Sequence, residues 1–405
     1  MKVLITTDWY RPVINGVVTS VLDLSEGLTA MGHEVRILTL SGSIHSYREG
    51  SVTFIGSVSV GMVYPNARLR TARGEALVRE LIDWRPDVVH SQCEFSTFAF
   101  ARRIANACGC PLVHTYHTVY EDFTHYFSPN VRFGRFLAAA FSRHVLAQTD
   151  AVIVPTEKIR AMLRGYGVTQ PISTVPTGLK LAPFLAPMPR SDRAALRKKL
   201  GLAESDLTLI YIGRLAREKN ISELLAFLPA APREVKLLLV GDGPYRSELE
   251  NEVRTRGLAD RVIFAGMVEP AQVADYYKAG DVFVSASQSE TQGLTYIEAM
   301  AAGLPLLCRR DDCLNGVLSP NENGFAYTTE TEFLSAIGAL QSAGLRERLG
   351  AAAQALAADR FSEEGFASAA EASAARDPKA DLAAGMQRRR RTGYAKHPSA
   401  ALKNR

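Results

Sequence analysis

Two glutamates eight residues apart, Glu290 and Glu298, stand in the run Ser287-Gln-Ser-Glu-Thr-Gln-Gly-Leu-Thr-Tyr-Ile-Glu298, with Gly293 between them. An apolar stretch precedes the run and a helical pattern follows it. Glu290 therefore falls in a strand-to-helix loop, and Glu298 about a turn inside the helix. Each carboxylate can take a different set of hydroxyls on one ligand, while backbone N–H groups at Gly293 and Leu294 suit a phosphate between them. A helix-surface charge is the competing reading of Glu298. Upstream, Gly213-Arg214 leads to Lys219 after another apolar run. A glycine followed by two cations suits an anionic ligand at a sheet edge; a solvated Lys/Arg turn is the alternative. Gly241 and Gly243 form a tight turn where backbone can approach a ligand closely, although turn chemistry alone accounts for them. His117, beside Thr118 and Tyr120, follows one more apolar run. It is either a cleft residue or a satisfied structural histidine, and His90, His114 and His125 are read as structural.

The elements that must hold these residues alternate in type. Strand patterns fall at Lys2–Thr6, His33–Leu40, Asp87–His90, Leu112–Thr115 and Ala151–Pro155, with a helix over Val17–Met31 and further helices between. The beat restarts after Thr177-Gly178 with strands at Leu207–Ile212, Val235–Val240, Val262–Ala265, Val282–Ser285 and Pro305–Cys308, and a helix over Tyr245–Thr255. Buried strands separated by helices predict an α/β protein of two Rossmann-like, doubly wound parallel sheets facing a central cleft. Ligands bind such sheets beyond the carboxyl ends of the strands, where the residues above lie. The expected domains are 1–178 and 179–360, followed by a helix at 361–375 crossing back to the first domain and a basic, disordered tail at 376–405.

Composition excludes several classes. The 405 residues are 47% hydrophobic and 22% charged, as in ordinary globular proteins. No apolar run reaches about 18 residues, which excludes a transmembrane helix, and the start is too polar after Ile5 for a signal peptide. Five cysteines show no paired zinc spacing and fit a reduced cytoplasm. The net charge of +5 conceals an asymmetry: residues 1–180 carry 18 Lys/Arg against 14 Asp/Glu, residues 181–375 carry 20 against 26, and the last thirty carry 9 against 2. Such a distribution fits a surface that meets anions, or uneven solvation alone.

Taken together, Gly213-Arg214 to Lys219 and Glu290 to Glu298 resemble the retaining glycosyltransferase family 4, of the two-domain GT-B fold. More narrowly, Pro12-Val-Ile-Asn15-Gly16, Thr115-Tyr-His117-Thr118-Val-Tyr120-Glu121-Asp-Phe-Thr-His125-Tyr126 and Glu290-Thr291-Gln292-Gly293-Leu294 resemble the diacylglycerol glucosyltransferases, over about residues 1–370. The resemblance implies that Gly16 lets backbone approach the donor diphosphate or the transferred sugar. It implies that Arg214 and Lys219 neutralise the diphosphate, with Gly213, Gly241 and Gly243 beside it. Glu298 would hold the ribose, and Glu290, with Thr291, Gln292, Gly293 and Leu294, the donor sugar. His117 would face that sugar, and Glu121 would belong to the acceptor side. It further implies a UDP-glucose donor, retention at the anomeric carbon, no metal or other cofactor, and a diacylglycerol acceptor. No Asp-x-Asp occurs in the chain. Asp311-Asp312-Cys313 fits the family pattern without a role that can be derived from it.

A lipid acceptor requires a membrane-facing surface. In the helix pattern Arg132–Leu146, Arg132, Arg135 and Arg143 share one face, with Phe133, Phe136, Leu137 and Phe141 adjacent. That is the composition of a helix lying on an anionic membrane, here the inner face of the cell membrane, or of core aromatics with solvated arginines. Arg68, Arg70, Arg73 and Arg79 mark a second helix candidate, and Arg388–Arg391 either binds anionic lipid or is inert. A phosphatidylinositol mannosyltransferase or another lipid or polysaccharide glycosyltransferase is the alternative within the same chemistry. A non-catalytic sugar-nucleotide sensor or a nucleic-acid-binding protein is the alternative outside it, and no nucleic-acid module is recognisable.

Overall fold

A computed structural model describes residues 1–13, 15–60, 68–71, 74–121 and 130–375. His125, Arg73, the basic run Arg388–Arg391 and the remainder of 376–405 lie outside the described residues. The N-terminal half runs β1 (Lys2–Thr6), α1 (Gly16–Ala30), β2 (Glu34–Leu40), β3 (Tyr47–Glu49), β4 (Val52–Ile55), β5 (Ser57–Ser59), β6 (Arg68–Arg70), α2 (Glu75–Trp84), β7 (Val88–Ser91), α3 (Ser96–Cys108), β8 (Leu112–Thr115), α4 (Val131–Leu146), β9 (Ala151–Val154), α5 (Glu157–Gly165) and β10 (Ile172–Thr174). Its sheet has the order β10-β9-β8-β7-β1-β2-β4-β3, parallel except for the β3–β4 pair.

The second half continues with α6 (Ala182–Leu185), α7 (Arg190–Lys199), β11 (Leu207–Ile212), α8 (Ile221–Phe227), β12 (Val235–Val240), α9 (Arg246–Thr255), β13 (Val262–Gly266), α10 (Val273–Ala279), β14 (Val282–Ser285), α11 (Leu294–Ala301), β15 (Leu306–Arg309), β16 (Gly324–Tyr327), α12 (Glu330–Leu340), α13 (Ala343–Arg360) and α14 (Glu363–Ala375). Its six-stranded sheet, β13-β12-β11-β14-β15-β16, is parallel throughout. Central strands such as β11 and β14 are buried at every position, which is why they are continuous apolar runs rather than alternating ones.

Strand order reverses between β1 and β7 in one sheet and between β11 and β14 in the other. Such reversals open a crevice beyond the strand ends, and both crevices face one cleft. The chain crosses between the halves twice. Near Gly178 and Ser362 the two crossings touch, with Leu179 N donating to Phe361 O at 2.9 Å. Beyond that point α14 returns to α1, placing Phe366, Ala367 and Ala370 in the core with Val21, Leu24 and Leu28. A side chain at Gly27 would lie 2.8 Å from the Ala367 Cβ, so the two helices pack nearly backbone to backbone there.

The Arg68 and Arg70 segment is not helical. It forms β6, the antiparallel partner of β5, because Ser57–Ser59 offers an open edge and the Arg68 guanidinium reaches the Gly42 carbonyl and the Ser57 hydroxyl. Among the described arginines of that set, only Arg79 lies on a helix, α2.

Candidate active site

The wall formed by the C-terminal half is built from three strand ends. After β11, Gly213 N donates to Val240 O. The β12 turn then passes so close that a Cβ on Gly241 would stand 2.1 Å from the Gly213 carbonyl oxygen, at a φ of +123°. Only glycine fits there, and the two turns brace each other beneath the cleft. Arg214 follows and pairs with Glu218. A single 3-10 turn then brings the Lys219 ammonium to 2.6 Å from Glu290 Oε1. Burial pushes the Glu290 carboxyl up, but the Lys219 charge and hydrogen bond, the Ser287 hydroxyl and the Lys158 charge together hold it below the usual range. Glu290 is therefore an ionised, oriented acceptor.

Gly293 adopts a left-handed φ of +75° and starts α11. Within that helix Glu298 accepts a 2.7 Å hydrogen bond from the Tyr277 hydroxyl, and burial raises its carboxyl to about 7 despite that bond. The charged form is held only loosely, so an incoming pair of hydroxyls finds an acceptor already poised to ionise.

The opposite wall has a different character. Asn15 caps α1 by accepting from Val18 N at 2.9 Å. A Cβ built on Gly16 would lie 3.5 Å from the Leu294 Cδ1, so the starts of α1 and α11, each the positive end of a helix dipole, meet across the cleft. His117 follows β8, and its Nε2 lies 2.6 Å from Gln92 Oε1, which assigns the ring proton to Nε2 and leaves Nδ1 as acceptor. Burial lowers its pKa to about 4, so it is neutral near pH 7. Behind it, Glu94 accepts from the Tyr120 hydroxyl at 2.7 Å and lies 3.2 Å from His114 Nε2. His114 and His90 are wholly enclosed, His90 against the Thr115 hydroxyl at 2.7 Å.

The cleft between the walls has a volume of about 690 Å3. The structure brings Gly16, His117, Gly213, Arg214, Lys219, Gly241, Glu290, Thr291, Gln292, Gly293, Leu294 and Glu298 together along it. Gly243 is not among its lining residues. A Cβ there would meet the Leu215 carbonyl oxygen at 2.3 Å, so this glycine serves the packing of the two turns. Glu121, Arg132, Arg135 and Arg143 also lie away from the lining. Glu121 ties α4 to α5 by accepting from Arg135 Nε (2.7 Å) and the Tyr166 hydroxyl (2.6 Å), and Arg143 donates to the Tyr166 carbonyl. On the first half of α4, Phe133, Phe136 and Leu137 are exposed beside Arg132 and Arg135, whereas Phe141 turns inward to stack on Phe95. No helix among the described residues is long and apolar enough to cross a membrane.

Residues 14–182 match the family profile described as Glycosyltransferase Family 4, and residues 192–355 match the profile Glycosyl transferases group 1. The alpha-monoglucosyldiacylglycerol synthase of Streptococcus pneumoniae is 36% identical over 343 residues, 83% of this chain and 77% of the relative. The chain belongs to glycosyltransferase family 4. It is a hexosyltransferase, and the namesake synthase of Acholeplasma laidlawii is a second relative, 33% identical over 82% of this chain and 86% of its own length. The fold is GT-B. Anabaena HepE in complex with UDP-glucose superposes with a TM-score of 0.71 at 18% identity, covering 92% of this chain and 99% of that one. WaaG, a glycosyltransferase of lipopolysaccharide biosynthesis, superposes at 0.69 and 18%, covering 92% of this chain and all of the other.

Several site residues escaped the sequence reading. Lys158, three residues past the segment Ala151–Pro155, reaches across to the Glu290 loop and to Asp311. Gln92 orients His117, and Tyr277 holds Glu298. Lys158 carried a usable signal, since it follows the carboxyl end of a strand. Gln92 also follows a strand, whereas Tyr277 sits inside a helix and carried none.

Proposed function

We propose that this hexosyltransferase moves glucose from UDP-glucose to the free hydroxyl of diacylglycerol, with retention and without a metal ion. It would work as a peripheral protein on the cytoplasmic face of a membrane. The observation that carries the reading is the Lys219–Glu290 pair, lining one cleft with Arg214 and the facing starts of α1 and α11. As the bond between the glucose anomeric carbon and the diphosphate oxygen breaks, negative charge grows on the diphosphate and positive charge on the sugar. Fixed cations and helix N-termini aimed at the departing oxygen stabilise that charge without reorganising. Glu298 takes the ribose hydroxyls and Glu290 the sugar hydroxyls. The acceptor oxygen attacks from the face the diphosphate leaves, and its proton passes to the departing diphosphate oxygen. His117, neutral and accepting at Nδ1, orients the sugar from the opposite wall. Because Lys219 neutralises Glu290, that carboxylate orients rather than attacks.

The acceptor assignment rests on the two relatives named as monoglucosyldiacylglycerol synthases, and the membrane surface on the exposed Phe133, Phe136 and Leu137 flanked by Arg132 and Arg135. Support for the donor comes from the UDP-glucose complex of HepE.

The test incubates the protein with labelled UDP-glucose and liposomes of anionic lipid, with or without diacylglycerol, and follows label into the lipid phase. Product only with diacylglycerol, as the α-anomer by NMR and unaffected by EDTA, is the expected result. UDP release without lipid product refutes the acceptor, and a β-linked product refutes retention.

A further inference from the structure

The loop that carries Glu290 is held from the other side of the cleft. Lys158, the second residue of α5, extends its ammonium out of the N-terminal half and donates to the carbonyls of Gln288 (3.1 Å) and Glu290 (3.2 Å). The same group reaches both carboxylate oxygens of Asp311, at 2.7 and 2.9 Å. Asp311 is fixed in turn, because its Oδ1 accepts from Cys313 N at 2.8 Å and caps the short 3-10 turn there. Two neighbours act in the same sense. The Thr156 hydroxyl donates to the Thr291 carbonyl at 2.8 Å, and the Gln292 amide both accepts from Thr177 N (2.8 Å) and donates to Thr177 O (2.9 Å). Positions 288, 290, 291 and 292 are thus each tied to the facing half or to the crossing chain.

The side chains of Lys158 and Asp311 are 21% and 10% exposed, so water competes weakly for their bonds. Among the described residues, nothing comparable spans the halves from the groups assigned to the nucleotide: Arg214 pairs with Glu218 and Glu298 with Tyr277, both within the C-terminal half.

We infer that Lys158 and Asp311 form an interdomain clamp that positions the Glu290–Gln292 loop against the donor sugar, so that the sugar pocket is complete only when the two halves are docked. The inference rests on the reading of Glu290 as the holder of donor sugar hydroxyls. Interfaces between domains of one chain slide by default, and a loop displaced by an ångström can cost about a hundredfold in rate. A clamp on this loop therefore acts on sugar transfer and leaves nucleotide binding alone. It also gives Asp311 a role that its sequence pattern did not supply.

The experiment uses the full chain with Lys158→Met, Asp311→Asn, the double variant and Lys158→Arg. Asp311→Asn keeps the oxygen that caps Cys313 N while removing the charge, and melting temperatures identify any variant that fails to fold. Each single variant is expected to lower kcat/KM for glucose transfer about 10–100-fold while the UDP dissociation constant stays within about twofold. The double variant should be no worse than the more severe single, and Lys158→Arg should recover part of the rate, as coupled partners behave. Additive losses, UDP affinity falling in step with transfer, or folded variants that match the wild type overturn the clamp alone. A wild type that transfers nothing and binds UDP-glucose no more tightly than UDP refutes the sugar-holding reading of Glu290, and the clamp falls with it.

Discussion

The two walls of the cleft solve different electrostatic problems. The wall proposed for the donor is ionic: Arg214 is paired with Glu218 and Lys219 with Glu290, and Glu298 sits close to ionisation. The wall proposed for the acceptor is neutral at its centre, where half-buried His117 is held by Gln92, and keeps its charge outside, on the basic and aromatic start of α4. A departing diphosphate needs cations that do not have to move. On the proposed reading, a lipid hydroxyl needs a dry, uncharged approach and a surface that finds the membrane. The comparison teaches that charge is placed where it develops during the reaction and withheld where it would only bind water.

Breaking the donor wall should have the largest effect. Lys219→Ala removes a cation at the leaving group and strands Glu290, and kcat should fall by about 10²–10³ in a labelled-glucose assay. A loss of less than about tenfold would move the leaving-group role elsewhere. Next comes the outer part of the acceptor wall. Replacing Phe133 and Phe136 together by serine should weaken sedimentation with anionic vesicles by about 10–100-fold, given about 1.5–3 kcal/mol for each fully buried aromatic and only partial burial in a headgroup layer. UDP-glucose binding in the absence of lipid should not change; if it does, α4 is structural rather than membrane-facing.

A smaller effect separates the walls by pH. Glu298 loses its charge as pH falls through about 7, and hydrogen bonds to a charged acceptor exceed neutral ones by about 1 kcal/mol. UDP-glucose affinity should therefore weaken about fivefold from pH 8 to pH 6, and Glu298→Gln should flatten the profile. UDP-glucose is the correct probe because the terminal phosphate of UDP itself titrates near pH 6. The smallest expectation concerns His117. With a pKa lowered to about 4 it is already deprotonated throughout this range, so the kcat of Glu298→Gln should stay flat within about twofold from pH 6 to pH 8. A step in kcat there would mean that the acceptor wall carries a titrating base.

Several central strands were legible to the residue, whereas β7, expected at Asp87–His90, runs one residue later at Val88–Ser91. Lys2–Thr6, Leu112–Thr115, Leu207–Ile212, Val235–Val240 and Val282–Ser285 have the bounds their apolar runs imply. A strand covered on both faces leaves no polar position to blur its ends. Boundaries shifted by a residue where capping or proline intervenes: Asn15 draws the start of α1 back to Gly16, and Pro305, which has no N–H to give, stays outside β15. Edge elements were not legible. The short polar strands β5 and β6 have too little apolar pattern to tell hairpin from helix, so their arginines were read on the wrong element.

Sequence alone determined the alternation of strands and helices, hence two parallel sheets, and it determined which chemical groups follow the strand ends. Both are local properties, set by side-chain periodicity and by glycine, within reach of neighbouring residues. Tertiary structure decided the partnerships. Lys219 meets Glu290 across 71 residues, and Lys158 meets Asp311 across 153. No local pattern specifies such pairs: Lys219 meets Glu290 because β11 and β14 lie side by side in one sheet, and Lys158 meets Asp311 only through the way two separately cored halves dock.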